Sequence, residues 1–92
     1  MLSTRVIVNN ELGLHARAAA QLVKCATPFQ SHITLARPDS NRRVDAKSIL
    51  NVLTLAASKG TELEISVEGT DEQDALSAIE RLFESGFGET YC

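Results

Sequence analysis

Glu62-Leu63-Glu64-Ile65-Ser66-Val67-Glu68 alternates apolar and polar residues without a break. A period of two sends Leu63, Ile65 and Val67 to one face and the acids and Ser66 to the other, which describes a strand with one buried and one solvated side. Immediately downstream, Thr70-Asp71-Glu72-Gln73 has the pattern of a capping box. Leu76, Ile79 and Phe83, joined by Ala75 and Leu82, then recur at helical spacing as far as Gly86. A half-buried strand followed by a helix with a single apolar stripe predicts helices layered on one face of an antiparallel sheet.

The upstream residues fit the same plan. Thr4 to Val8 is rich in β-branched residues and reads as a strand, and Asn9-Asn10-Glu11-Leu12-Gly13 supplies turn chemistry after it. A helix is expected from Ala16 to Ala26, with Ala16, Ala19, Ala20, Val23 and Ala26 on its apolar stripe, Leu22 widening the stripe, and Pro28 ending the segment. Ser31 to Ala36 alternates, Pro38-Asp39-Ser40-Asn41 turns it back, and Arg43-Val44-Asp45 returns beside it as a hairpin. Ser48 stands as the cap of a short apolar helix, Ile49-Leu50-Asn51-Val52-Leu53. The order is β-α-β-β-α-β-α. It predicts an α+β open-faced sandwich, a four-stranded antiparallel sheet covered on one face by three helices.

The chain has 92 residues, 43% of them hydrophobic, which suits one core and one domain, expected over 1–88, with fraying from Phe87 and a loose tail at 89–92. Aromatic residues make up 4%, so Leu, Ile, Val and Ala must build the core, with Phe29, Phe83 and Phe87 as its bulky fillers. A formal net charge of −3 argues against a general nucleic-acid binder, and no strand carries the aromatic pairs on which RNA bases stack. No run reaches transmembrane length and no apolar leader follows Met1, so no membrane partner is expected. Cys25 and Cys92 match no metal or redox spacing, which points to a reducing, cytoplasmic setting and to a site without metal or cofactor.

The chemistry concentrates in Gly13-Leu14-His15-Ala16-Arg17-Ala18-Ala19-Ala20, where a glycine-led loop runs into an alanine-rich helix. The first N–H groups of a helix have no partner within it and, with the helix dipole, favour an anion. His15 brings an imidazole to that spot, and Arg17 brings a planar set of donors that matches phosphate oxygens. The pattern describes a phosphate site that carries its own nucleophile. His32 lacks this context and reads as a surface histidine.

These residues, with Gln21-Leu22-Val23-Lys24, Ala46-Lys47-Ser48-Ile49-Leu50 and the Glu-Gly-Thr-Asp-Glu turn of 68–72, resemble the histidine-containing phosphocarrier (HPr) family nearly end to end. The resemblance implies a monomeric carrier rather than an enzyme with its own turnover. His15 would accept a phosphoryl group through Nδ1 from phosphorylated enzyme I of the phosphoenolpyruvate-dependent phosphotransferase system and pass it to IIA domains. Arg17 would stabilise the phosphate, and Ser48 would be open to regulatory phosphorylation by HPr kinase/phosphorylase. Ala16, Arg17, Ala20, Ile49, Leu50 and Leu53 would contact partners, with Lys24 and Lys47 as a basic rim. An alternative reading within the same resemblance is a regulatory binding protein that acts through its Ser48 face without transfer to transporters. Two positions depart from the family: Ala18 stands where proline is common and Thr27 where lysine is common. The ending Leu82-Phe83-Glu84-Ser85-Gly86-Phe87 is similar to the nitrogen-related branch, NPr.

Overall fold

The computed structural model describes residues 1–87. Its elements, in chain order, are β1 (Leu2–Ile7), α1 (Ala16–Ala26), β2 (His32–Arg37), β3 (Arg42–Asp45), α2 (Ile49–Thr54), β4 (Glu62–Glu68) and α3 (Glu72–Glu84). The strands form one antiparallel sheet in the order β1-β4-β2-β3. The alternating segment 62–68 is thus a central strand. One row of inward residues crosses the whole sheet, because Thr4 pairs with Ile65, Ile65 with Leu35, and Leu35 with Val44. Strand β1 begins two residues before the expected Thr4, since its pairing with β4 continues to Leu2 opposite Val67.

The core lies between that row and the three helices. Leu63, Ile65 and Val67 are fully buried together with Leu22, Val52, Ile79 and Phe83. Each such side chain withdrawn from water contributes about 1.5–3 kcal/mol, which is why so small a chain can hold a sheet and three helices together. Phe87, expected to fray, is instead buried, with its ring edge-on to Phe83 at a centroid distance of 4.9 Å. Gly86, at φ 66°, turns the chain beyond α3 so that the Phe87 ring folds under the helix. The expected tail at 89–92, Cys92 included, lies outside the described residues. Phe29 is only partly buried against the core.

Two local expectations are corrected. Ser66 was expected to face solvent, yet it is buried: it sits on the helix-free side of the sheet, but between Ser3 of β1 and Thr34 of β2. The capping box at Thr70–Gln73 does not form. Asp71 is the N-cap of α3 without a side-chain bond to its own helix. Its carboxylate instead accepts from Gln30 N–H at 2.9 Å, from Ser31 N–H at 3.0 Å and from the Ser31 hydroxyl. Glu72 accepts from Gly69 N–H at 3.2 Å and pairs with the N-terminal ammonium at 3.4 Å.

The Asp71 clamp makes a pH prediction. Bonds from the Ser31 hydroxyl and from backbone N–H groups favour the carboxylate and hold its pKa below the ordinary Asp value. A group lowered in the native state stabilises the fold above its unfolded pKa and loses that contribution as pH falls through the native one. Asp71→Asn is therefore expected to be less stable than the parent at about pH 7, with the gap closing toward about pH 2. Urea denaturation at both pH values checks it; a gap that does not change with pH would contradict the clamp.

Candidate functional site

Helix α1 starts at His15, whose backbone is extended (φ −89°, ψ −169°) and whose carbonyl accepts the first helical bond from Ala19 N–H at 2.8 Å. The imidazole folds back over the helix mouth, and Nδ1 accepts from Arg17 N–H at 3.4 Å. Nε2 is turned into the protein and buried, with no hydrogen-bond partner. The two ring nitrogens therefore have different surroundings: Nδ1 carries its lone pair toward the helix terminus, and Nε2 carries the proton.

The charge around this terminus is unusual for a helix start. No acidic residue occupies the first turn of α1, where one would be favourable, and Arg17 stands there instead. An arginine there sets its planar donors beside a helix terminus that favours anions. The sole basic residue in the last turn is Lys24, which suits the helix by itself.

The loop ahead of His15 is held rigidly. Asn10 is buried and its Nδ2 donates to Gly13 O at 2.8 Å, while Gly13 N–H donates to Asn10 O at 3.2 Å. Leu14 N–H donates to Ala57 O at 2.8 Å, and Lys59 pairs with Glu11. These bonds dock the loop on the segment that follows α2. At the other end, Lys47 Nζ donates to Phe29 O at 2.6 Å, tying the start of α2 to the segment that follows α1. The two helices therefore run antiparallel, with His15 and Ser48 at opposite ends of the pair.

That arrangement sorts the residues named from sequence. The core face of α1 is Ala18, Ala19, Leu22 and Ala26. Ala16 and Ala20, expected on the buried stripe, are exposed and lie with Arg17 and Lys24 on the outward side. Ala18 faces the core, so its departure from proline is not on the outward side of α1. Thr27, exposed beyond the last turn, donates from its hydroxyl to Val23 O at 2.6 Å. In α2, Val52 is buried, Leu53 is half-buried, and Ile49 and Leu50 are exposed, Leu50 at 74%. Ser48 caps α2, its Oγ accepting from Asn51 N–H at 3.4 Å. Lys47, read as a rim charge, has its ammonium engaged at Phe29. Burial raises the Cys25 thiol pKa, which favours its protonated form.

Sequence reading passed over Leu12, an apolar side chain 67% exposed in the His15 loop, and Arg37, whose guanidinium reaches the end of α2. An apolar residue isolated in a polar turn was the available signal for Leu12. Arg37 gave none, since its partners are backbone carbonyls. His32 is exposed on β2, apart from the site. Among the described residues there is no group of three or more His, Cys, Asp or Glu placed to hold a metal, and no helix long and apolar enough to cross a membrane.

Comparison with known proteins gives the arrangement its context. The family model described as the PTS HPr component phosphorylation site matches residues 2–85. The phosphocarrier protein HPr of Xylella fastidiosa (strain 9a5c) is 48% identical over 89 residues, covering 97% of this chain and 98% of that protein. The phosphocarrier protein NPr of Proteus mirabilis is 41% identical over 85 residues, covering 92% and 93%. Among solved structures, HPr-C-His from Thermoanaerobacter tengcongensis superposes with a TM-score of 0.92 at 40% identity, covering 97% of this chain and 98% of that one. With the family model matching residues 2–85 and relatives and solved structures covering nearly the whole chain at 40% identity or more, the chain belongs to the HPr family of phosphocarrier proteins of the phosphotransferase system.

Proposed function

We propose that Nδ1 of His15 is the phosphoryl acceptor, charged by phosphorylated enzyme I and discharged to IIA domains. One observation carries the reading: Nε2 is buried while Nδ1 faces the N-terminus of α1 and the N–H of Arg17. The Nδ1 lone pair forms the new P–N bond as the bond from phosphorus to the donor breaks, the leaving electron pair returning to the donor nitrogen. Nε2 keeps its proton. The phosphoryl oxygens arrive where the first N–H groups of α1 and the Arg17 guanidinium compensate their charge, so transfer is chiefly positioning and electrostatics. The acting unit is one chain, because His15, Arg17 and α2 all belong to it.

Ala16, Ala20, Ile49, Leu50 and Leu53 make the apolar centre on which both partners dock. Lys24, with Lys47 at its edge, supplies basic charge that steers acidic surfaces and fades with salt. Ser48 is the regulatory position, a substrate for HPr kinase/phosphorylase. A phosphate on its Oγ sits at the mouth of α2 and puts negative charge beside Ile49 and Leu50, weakening acidic partners.

Incubation with phosphoenolpyruvate and enzyme I tests the acceptor. The expected result is one acid-labile phosphoryl group per chain, assigned to Nδ1 by the nitrogen chemical shifts of His15. Attachment at Nε2, or no gain with enzyme I of either the sugar or the nitrogen branch, would overturn the assignment.

A further inference from the structure

We infer that Arg37 is a positioning residue for the His15 loop, acting through the three consecutive carbonyls that follow α2. The inference rests on the phosphoryl-acceptor reading of His15. A helix of six residues leaves the carbonyls at and just beyond its C-terminus without N–H donors inside it. Arg37, at the end of β2, fills that need from outside: Nη1 donates to Leu55 O at 2.8 Å and to Ala56 O at 3.1 Å. The next carbonyl, Ala57 O, accepts from Leu14 N–H at 2.8 Å, one residue before His15. The guanidinium thus holds two links of a three-link segment whose third link holds the nucleophile's loop.

Backbone conformation makes that grip consequential. Ala56 has φ 50°, a left-handed geometry that an L residue with a Cβ adopts only when its surroundings enforce it. If Ala56 relaxes toward negative φ, the following peptide rotates and Ala57 O swings away from Leu14. Arg37 resists the rotation because it binds both carbonyls that flank the Ala56 N–H and Cα. The guanidinium is itself aimed by Asp39, whose carboxylate accepts from Nε at 2.8 Å. With Nε committed to Asp39 and Nη1 to two carbonyls, the fork has one orientation.

The consequence is a defined position for Nδ1 over the helix mouth. Displacing a nucleophile by about 1 Å is enough to slow group transfer by as much as about a hundredfold. Arg37→Ala is expected to lower the rate at which enzyme I charges His15 by roughly tenfold while the domain stays folded. Arg37→Lys, which can reach one carbonyl as a point charge, should recover part of the rate. Arg43→Ala removes an exposed arginine of the neighbouring strand and should leave the rate unchanged.

The test pairs single-turnover charging by phosphorylated enzyme I with nitrogen-15 spectra of the full chain. The expected spectra show the Leu14 and Arg17 amides and the His15 ring nitrogens shifted in Arg37→Ala, with faster hydrogen exchange at Leu14, and partial return in Arg37→Lys. A slowed rate with unmoved resonances would overturn the inference and make Arg37 a docking contact. Unmoved resonances with an unchanged rate would overturn it outright. If no form, parent included, accepts a phosphoryl group, the acceptor reading fails, and the Leu14 exchange rate still decides whether Arg37 holds the loop.

Discussion

His15→Ala should accept no phosphoryl group from enzyme I and yet remain folded. The two consequences separate because the imidazole has two roles of very different weight. As the N-cap of α1 it accepts one long bond, 3.4 Å from Arg17 N–H, so its removal costs at most about 1 kcal/mol. As the acceptor it supplies the lone pair of Nδ1, which nothing else at the mouth of α1 replaces. Acceptance should fall below detection while the thermal midpoint moves by no more than about 8 °C. His15→Asn sharpens the distinction, since an amide oxygen is among the better caps. It should be at least as stable as the parent and equally inert. His32→Ala should charge like the parent, because His32 stands exposed on β2. Intact-mass measurement on the four proteins decides the matter; a phosphoryl group still gained by His15→Ala would move the site elsewhere.

The ease with which the fold and the histidine were read from sequence, against the difficulty with their surroundings, has a physical basis. Strand β4 and the hairpin announce themselves because a period of two and a Pro-Asp-Ser-Asn turn are local, and the chain follows them to within a residue. The limits of α1 were equally legible. Its phase was not: with alanine at 16, 18, 19, 20 and 26, the helix offers little contrast between faces, and the core chose Ala18, Ala19, Leu22 and Ala26. The choice exposes Ala16 and Ala20 beside Arg17. The capping box at Thr70–Gln73 failed for a different reason. The Asp71 carboxylate is taken by Gln30 and Ser31, some forty residues away in sequence, which the fold brings within reach. Lys47 and Arg37 were opaque for the same cause, since each binds carbonyls 18 or 19 residues away. Backbone acceptors leave no mark in a sequence. The histidine, the glycine before it and the arginine after it form a motif; the bonds that aim them do not.

Gly13 is where the motif and its support meet, and Gly13→Ala should be strongly damaging for so small a change. Two costs combine there. The residue has φ 68°, which disfavours any side chain, and an added Cβ would stand 2.6 Å from Ala57 O and 2.8 Å from Ser58 Cα. Both obstacles are backbone and cannot rotate away. The loop must therefore lift from the segment after α2, loosening the bond between Leu14 N–H and Ala57 O. We expect a loss of about 2–4 kcal/mol, equivalent for a domain of this size to a drop of roughly 10–25 °C in Tm. Gly60→Ala supplies the comparison, for Gly60 also has positive φ, 93°, but an added Cβ there meets nothing within 4 Å. It should lose only the conformational part, about 1–2 kcal/mol. Thermal melts of the two variants isolate the collision, and charging by enzyme I isolates its effect on His15: Gly13→Ala should be slowed well beyond Gly60→Ala even at temperatures where both are folded. Equal melts and equal rates would mean that the loop tolerates lifting and that the contact with Ala57 does not set the position of the imidazole. The expected difference follows from the way the site is made. A nucleophile on a helix cap moves with the loop that leads into it, and that loop lies flat only because residue 13 has no side chain.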